Sequence, residues 1–398
     1  MSGILRWAGR VALMALLAAL AIGLWKREQI LRLWAVNTLF DEGRIVENFS
    51  HMDRAFLTVP VGRGAGPVSD LPEGPPLELP QGTDAWIEAR AVTSLMVLHE
   101  GRVVHESYHL GTGPQDRRIS WSLAKSYLSA LFGILVEEGK IPTLEAPVTA
   151  FAPQLAGGAY DGVTIRQVLQ MTSGIAFDED YLEYHSDINR MGRVLALGGT
   201  MDGFAAGLMA RAAQPGAQWD YVSIDTHVLG MVVRGATGRS IPELLTEKVI
   251  APLGLEEAPY YLSDGEGVAF VLGGLNMRTR DYARFGLMYE QMGVYDGRQV
   301  VPAEWVRQST RASAPTLPGK IGYGCQWWIP VGAPDGVFMA RGIYGQYIYI
   351  DQARDAVIVV TAADRGFRDE GVLVEGEEFE RVQPRIEAEL EDRELGDD

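Results

Sequence analysis

The chain of 398 residues is long enough to bury a sizeable core and to form two lobes. Its formal charge of −17 argues against nucleic acid as a partner, because nucleic-acid-binding proteins need a basic surface. A composition of 47% hydrophobic and 22% charged residues is that of an ordinary globular protein, and the single cysteine, Cys325, excludes an intrachain disulfide.

The first 27 residues are predicted to be a membrane anchor or a signal segment. Val11–Leu24 is an uninterrupted run of apolar residues and glycine, and Trp7 and Trp25 stand where the two membrane interfaces would lie. The Ala-Leu-Ala sequence at 19–21 resembles a cleavage site but lies inside this run, so an uncleaved anchor is favoured over a cleaved signal peptide. We therefore expect a single N-terminal helix in the membrane and a globular domain on the extracytoplasmic (periplasmic) side, with secretion after cleavage as the alternative.

Residues 28–82 are predicted to be a juxtamembrane stretch followed by a Pro/Gly-rich linker. Pro60–Gly82 contains six prolines and five glycines. Such a composition cannot maintain a helix or a central strand, so this part is expected to be an extended linker or a segment wrapped on the surface.

Residues 83–398 are predicted to form one domain with two lobes. Two β-rich runs, Thr93–His99 and Arg102–His109, indicate a hairpin. An α/β lobe at about 83–145 and 312–398 encloses a mainly helical lobe at about 146–311, and the cleft between lobes is a common place for an active site. The chain is expected to end in a meander and a helix; these segments are Gly324–Pro330, Gly336–Ala340, Gln346–Ile350, Ala356–Ala362 and Glu378–Glu391.

Ser122 and Lys125 stand at the start of an apolar, helix-like run, Trp121–Val136. Residues three apart on a helix share a face, so a lysine amine is placed beside a serine hydroxyl. That hydroxyl becomes a good nucleophile when a neighbouring base takes its proton, and a desolvated lysine can be the base. S-x-x-K is thus a possible nucleophile–base pair, although a capping serine followed by a surface lysine fits the same four letters.

Two later segments offer groups that would complete such a site. Tyr221 follows a Pro-Gly turn, and its hydroxyl could pass the serine's proton to a leaving group. Residues 342–346 (Gly-Ile-Tyr-Gly-Gln) lie between two β-rich runs, where glycines let a substrate approach the backbone. A strand edge there could donate an N–H to an oxyanion beside the N–H of Ser122. Taken singly, each segment also fits an ordinary turn.

The sequence His-Glu-Ser-Tyr-His at 105–109 matches the H-E-x-x-H pattern of zinc proteases, which works only on a helix. The surrounding residues favour a strand, where His105 and His109 would be about 13 Å apart along the backbone. A zinc hydrolase is therefore a disfavoured alternative.

In combination, these motifs resemble the penicillin-binding-protein and class C β-lactamase superfamily of serine hydrolases, from about Thr83 to Arg381. Within it, the chain is most similar to the esterase-like branch that contains the aminohexanoate-oligomer (nylon-oligomer) hydrolases. The residues that carry the resemblance are Ser120–Ser126, Thr164–Gly174, Pro215-Gly216, Tyr221–Ser223, Leu275–Met277, Asp281–Gly286 and Gly342–Gln346. The resemblance implies a β-lactamase/transpeptidase-like α/β (α+β) fold: an antiparallel sheet flanked by helices, with a mostly helical inserted lobe.

The resemblance also implies the roles of the site residues. Ser122 would be the nucleophile, Lys125 its base and Tyr221 a proton carrier, with the oxyanion held by the backbone N–H groups of Ser122 and Ile343. It implies no metal and no organic cofactor, and a small ester or amide as substrate. Loops often carry specificity, so residues of the loop at 178–187 join the pocket candidates. These candidates are Ser223, Gly342, Gly345, Gln346, Tyr181, Asp187 and Arg341.

Two positions depart from the family's pattern. Ser223 stands where the family often has asparagine, and Ala340, followed by Arg341, stands where β-lactamases usually have lysine or histidine. Both departures favour an esterase-like or amidase-like enzyme over a strong β-lactamase. A cell-wall D,D-peptidase or β-lactamase and a non-hydrolytic binding or sensor domain stay as alternatives, and the oligomeric state is left open.

Overall fold

The computed structural model describes residues 2–367, 386 and 388. Its helices are α1 Ser2–Trp25, α2 Arg27–Asn37, α3 Ile45–Ser50, α4 Thr83–Ala89, α5 Ala124–Glu137, α6 Ile165–Leu169, α7 Asp187–Ala196, α8 Met201–Ala206, α9 Ser223–Thr237, α10 Ile241–Leu245, α11 Ala251–Leu253, α12 Thr279–Glu290 and α13 Ala303–Ser309. Short 3₁₀ turns cover Met52–Arg54, Trp121–Leu123, Val148–Ala150 and Pro153–Leu155, and a π turn, Thr246–Ile250, joins α10 to α11.

The strands form one large and two small antiparallel sheets. They are β1 Leu57–Pro60, β2 Val92–His99, β3 Arg102–Tyr108, β4 Arg118–Ile119, β5 Tyr260–Ser263, β6 Leu275–Met277, β7 Val294–Tyr295, β8 Arg298–Gln299, β9 Gly322–Tyr323, β10 Trp328–Ile329, β11 Val337–Gly342, β12 Gln346–Asp351 and β13 Ala356–Ala362. The large sheet has the order β3-β2-β13-β12-β11-β10-β9, a four-stranded sheet has the order β1-β5-β6-β4, and β7 pairs with β8. The expected hairpin (β2–β3) and meander (β11–β12–β13) are confirmed.

The centre of the large sheet is buried on both faces. β13 is rich in valine and isoleucine and is buried along its whole length, as an apolar β-branched run in a covered sheet should be. Helix α12 crosses one face at close range through Gly286, where an added Cβ would lie 2.5 Å from Val357 Cγ1. Helix α5, which begins two residues after Ser122, is buried from Ala124 to Leu135.

The region 146–311 is mainly helical, as expected, but it also contains β5 and β6. These strands are not predicted from the sequence, because three or four residues are too few to show a periodicity that separates a strand from a helix. They pair with β1 and β4, so this small sheet joins the region to two distant segments of the chain.

Residues 39–82 pack on the domain that follows them. Leu39, Phe49 and Met52 belong to the main hydrophobic core, and β1 pairs with β5. Leu71 and Leu77 are also buried, so the Pro/Gly-rich part runs as a wrap on the surface rather than as a free linker.

Helix α1 exposes its apolar side chains from Trp7 to Trp25. Among the residues described, it is the one helix long and apolar enough to cross a membrane, over Arg6–Trp25, and a signal sequence shares these properties. The helix expected near Glu378–Glu391 lies outside the described residues apart from two positions.

Candidate active site

Ser122 lies on the 3₁₀ turn that joins β4 to α5. Trp121, immediately before it, has a left-handed backbone with φ of +45°, which is unfavourable for a bulky side chain. Residues held in such conformations cluster at functional sites, where the surrounding structure maintains them. The turn presents Ser122 to two cavities.

Lys125 follows on the same face of the helix, and only 2% of it is exposed. Its Nζ lies 3.3 Å from Ser122 Oγ, 3.4 Å from Ser223 Oγ and 2.8 Å from the carbonyl oxygen of Leu272. Burial lowers the pKa of Lys125 to about 7, although nearby carboxylates oppose this. A substantial fraction of the amine is therefore neutral near pH 7 and able to accept a proton.

Tyr221 lies against the same pair. The centre of its ring is 5.3 Å from Lys125 Nζ, and Tyr221 lines one of these two cavities together with Ser122. Packing against Trp328, at 5.1 Å between ring centres, fixes the ring. Burial raises the pKa of Tyr221, so the phenol stays protonated and can relay a proton without holding a charge.

Glu179 is a site residue that the sequence analysis did not single out. Its carboxylate accepts hydrogen bonds from the Ser223 hydroxyl, from the Ser223 backbone N–H at 3.0 Å and from the Tyr181 hydroxyl at 2.6 Å. Burial raises the pKa of Glu179, and the positive charge of Lys125 opposes this rise. The only signal in the sequence was its place in the 178–187 loop.

The end of β11 lies directly against the Ser122 turn. A Cβ at Gly342 would be 2.4 Å from the carbonyl oxygen of Ser120 and 3.2 Å from the backbone nitrogen of Ser122, so the approach requires glycine. This places Ile343, the next residue, beside the backbone of Ser122. Backbone N–H groups on both sides of a serine hydroxyl are what an oxyanion hole needs.

Two cavities meet at Ser122. The larger, of about 790 Å³, is aromatic and charged, and its wall includes Trp219, Tyr221, Trp328, Asp178, Lys320 and Arg341. The smaller, of about 330 Å³, is mainly apolar. Tyr181 and Ile343 border both cavities, Gly342 the larger and Ser223 the smaller.

Gly345 and Gln346 were expected at the pocket, but they line neither of these cavities. Gln346 Nε2 donates to the carbonyl oxygens of Tyr344 at 2.9 Å and Ala362 at 2.8 Å. It therefore fixes the turn after β11 from behind. Gly345 has φ of +82° and supplies the left-handed conformation of that turn.

Of the two other pocket candidates, Asp187 lies away from both cavities, whereas Arg341 borders the larger one. Asp187 lines neither cavity; it accepts the backbone N–H of Asp178 at 3.0 Å and pairs with Arg190 at 2.6 Å, so it holds the loop closed. Arg341 does border the larger cavity, where its guanidinium carbon lies 5.5 Å from the centre of the Trp328 ring.

His105 lies on β3, at the edge of the large sheet, and His109 is the residue directly after this strand. Their side chains approach each other more closely than the backbone spacing suggested, because Ser107 Oγ lies 2.9 Å from one Nε2 and 3.0 Å from the other. Within the described part of the chain, no group of three or more His, Cys, Asp or Glu residues is placed to hold a metal ion.

Residues 84–375 match the family described as Beta-lactamase, which is well over half of the chain. The chain belongs to the β-lactamase family. The expected resemblance and fold class are thereby confirmed, as is the expected class of enzyme, a serine hydrolase.

This β-lactamase-family chain is similar to three proteins of known name. It is 31% identical to the 6-aminohexanoate-dimer hydrolase of Paenarthrobacter ureafaciens over 287 residues, 69% of this chain and 73% of that protein. Esterase EstB of Burkholderia gladioli is 32% identical over 147 residues, 34% of this chain and 36% of that enzyme. A structure from Bacillus anthracis, assigned by name to the 6-aminohexanoate-dimer hydrolases, superposes with a TM-score of 0.76 over 89% of this chain and 96% of that one, at 23% identity.

Proposed function

We propose that this β-lactamase-family chain is a membrane-anchored serine hydrolase that cleaves small esters or amides through an acyl-serine intermediate. The observation that carries the proposal is the buried amine of Lys125, 3.3 Å from Ser122 Oγ, with a pKa lowered to about 7. The names of the Paenarthrobacter hydrolase and the Burkholderia esterase agree with amide and ester substrates.

In the proposed reaction, neutral Lys125 takes the proton of Ser122 as Oγ attacks the carbonyl carbon. The carbonyl oxygen becomes an oxyanion and is held by the backbone N–H groups of Ser122 and Ile343. Tyr221 passes a proton to the leaving alcohol or amine as the bond to the carbonyl carbon breaks. Water then attacks the acyl-serine, and the same groups act in reverse to release the acid.

The proposed location rests on α1. The helix presents apolar side chains on all sides, with tryptophans near both ends, as a membrane-spanning segment does. An uncleaved anchor would keep the catalytic domain at the extracytoplasmic face of the membrane, whereas a cleaved signal would release it.

The test is covalent labelling of the full chain, in detergent, with a fluorophosphonate probe, followed by intact mass. We expect one adduct on wild type and on Ser313→Ala, an exposed serine that serves as the control, and none on Ser122→Ala. A folded wild type that takes up no label would instead support a binding or sensor domain.

A cell-wall D,D-peptidase or β-lactamase is the second candidate. Arg341 and Lys320 border the larger cavity at Ser122, where a cation could meet the carboxylate of a peptide or lactam. Hydrolysis of a chromogenic cephalosporin or a D-Ala-D-Ala peptide faster than of simple esters would favour it.

A further inference from the structure

The smaller cavity at Ser122 has an apolar wall built from distant parts of the chain. The apolar side chains on this wall include Leu39, Phe40, Phe56, Ile188, Leu262 and Phe270. Its volume of about 330 Å³ is that of roughly ten water molecules at ~30 Å³ each, which is room for an alkyl chain of medium length.

Two polar side chains on this wall are hydrogen-bonded to the backbone of the loop at 180–184. Asn189 Nδ2 donates to the carbonyl oxygens of Tyr181 and Glu183, both at 2.9 Å. Arg193 donates to the carbonyl oxygen of Tyr184 at 2.8 Å, and its guanidinium carbon lies 4.1 Å from the centre of the Tyr184 ring. These hydrogen bonds hold the loop at 180–184 in place. Because most of the side chains on the wall are apolar, the cavity favours an uncharged, apolar chain.

The position of Tyr221 decides which half of a substrate enters which cavity. Tyr221 borders the larger cavity and is absent from the wall of the smaller one. A group that protonates the leaving alcohol or amine has to stand on the leaving group's side of the scissile bond. The leaving group therefore occupies the larger cavity, and the acyl chain occupies the smaller one.

We propose that the smaller cavity is an acyl site for unsubstituted alkyl chains, so that the substrates are esters or amides of medium-chain fatty acids; this rests on the proposed acyl-serine chemistry. The N-terminal segment supports this choice, because Val36, Leu39 and Phe40, which line the cavity, lie at the end of α2, the helix that follows the candidate anchor, or just beyond it. On α2 itself, Ile30 and Trp34 are about half exposed. The cavity thus stands beside an apolar surface at which such acyl chains would concentrate.

The test is a series of p-nitrophenyl esters, from acetate to octanoate, hydrolysed by the full chain in lipid nanodiscs. Each methylene buried in the cavity should raise kcat/KM about three- to fourfold, until the cavity is filled. We expect hexanoate to exceed acetate by at least about tenfold. Equal or falling values along the series would overturn the proposal.

A pair of glycine variants tests whether the acyl chain lies in the smaller cavity. Gly192 lines the smaller cavity, and a Cβ there meets nothing within 4 Å, so Gly192→Leu places a side chain in the acyl site. It should lower the ratio of hexanoate to acetate kcat/KM at least tenfold, whereas Gly66→Leu, at an exposed glycine with equal space, should leave the ratio unchanged. Equal ratios in the two variants would place the acyl chain elsewhere.

A second ester series tests which half of the substrate occupies which cavity. Acetates of alcohols of increasing chain length should be insensitive to Gly192→Leu, because their alkyl chain is the leaving group; sensitivity there would reverse the assignment of the cavities. Loss of fluorophosphonate labelling would mean failure of the acyl-serine proposal itself, whereas normal labelling without dependence on chain length would mean failure of the acyl site alone.

Discussion

Replacing Glu179 by glutamine should move the activity of this enzyme to lower pH. Ser223 Oγ lies 3.4 Å from Lys125 Nζ and donates a hydrogen bond to Glu179, so the two opposite charges are within roughly 6 Å of each other. At an effective dielectric constant of ~20, their attraction is about 3 kcal/mol, equivalent to about two pH units. The substitution removes this attraction and keeps a hydrogen-bond acceptor of the same shape.

The direction of the expected shift in the pH profile follows from the role of Lys125 as a base. Lys125 is a base only when it is neutral, so wild-type kcat/KM should rise as the pH increases through about 7. The negative charge of Glu179 favours the protonated amine, and removing it lowers the pKa of Lys125 further. Asp225 also raises the pKa of Lys125 and remains in the variant, so we expect the midpoint to fall by up to about two pH units.

The assay is the pH profile of kcat/KM for a short p-nitrophenyl ester at constant ionic strength, with product read after an alkaline quench. Glu183→Gln is the matched control, because it removes the same charge from an exposed position on the same loop. Solvent screens the charge of Glu183, so the midpoint of the Glu183→Gln pH profile should stay within a few tenths of a pH unit of the wild-type midpoint. A Glu179→Gln midpoint equal to or above wild type, in a variant with unchanged thermal unfolding, would refute the argument.

Three further substitutions give separate expectations. Tyr221→Phe keeps the packing on Trp328 but loses the hydroxyl, so steady-state kinetics should show kcat lower by about 10²–10⁴-fold with little change in thermal unfolding. Gly342→Ala adds a Cβ 3.2 Å from the Ser122 nitrogen and should lower kcat by about 10²-fold or more, measured on the same ester. Lys125→Met should abolish labelling of Ser122, yet raise the free energy of unfolding by a few kcal/mol at pH 7 in denaturant titrations. That gain should shrink as the pH rises towards 10.5 and vanish above it, where the wild-type lysine is neutral in both the folded and the unfolded state.

How far the sequence predicts this site depends on how local each contact is. The Ser122–Lys125 pair is predictable because one helical turn sets its spacing. Tyr221 and Ile343 are distant in sequence, and only the order of motifs known from a family points to them. Glu179 contacts Ser223, which is 44 residues away in the sequence, and lies in a loop without periodicity, so no sequence pattern predicts this contact.

In the fold, too, features set by local sequence are predictable and features set by distant contacts are not. Long β-branched runs such as β13 are predictable, whereas β5 and β6 are too short to be. Residues 39–56 look like a connecting stretch by composition, yet Phe49 lies in the core, since burial depends on what a segment meets in three dimensions. The two cavities are likewise formed by elements that come together only in the folded chain.

The aromatic cluster below the site has a practical consequence for producing this protein. Phe49 packs at 5.4 Å, between ring centres, against both Trp121, which precedes the nucleophile, and Tyr344, which follows Ile343; Phe40 stacks on Tyr344 at 5.0 Å. A shortened chain that begins at residue 84, where the family match starts, would lack both phenylalanines. Expression trials should therefore remove α1 alone and retain everything from Lys26 onward, because Phe40 and Phe49 pack against Trp121 and Tyr344 beside the active site.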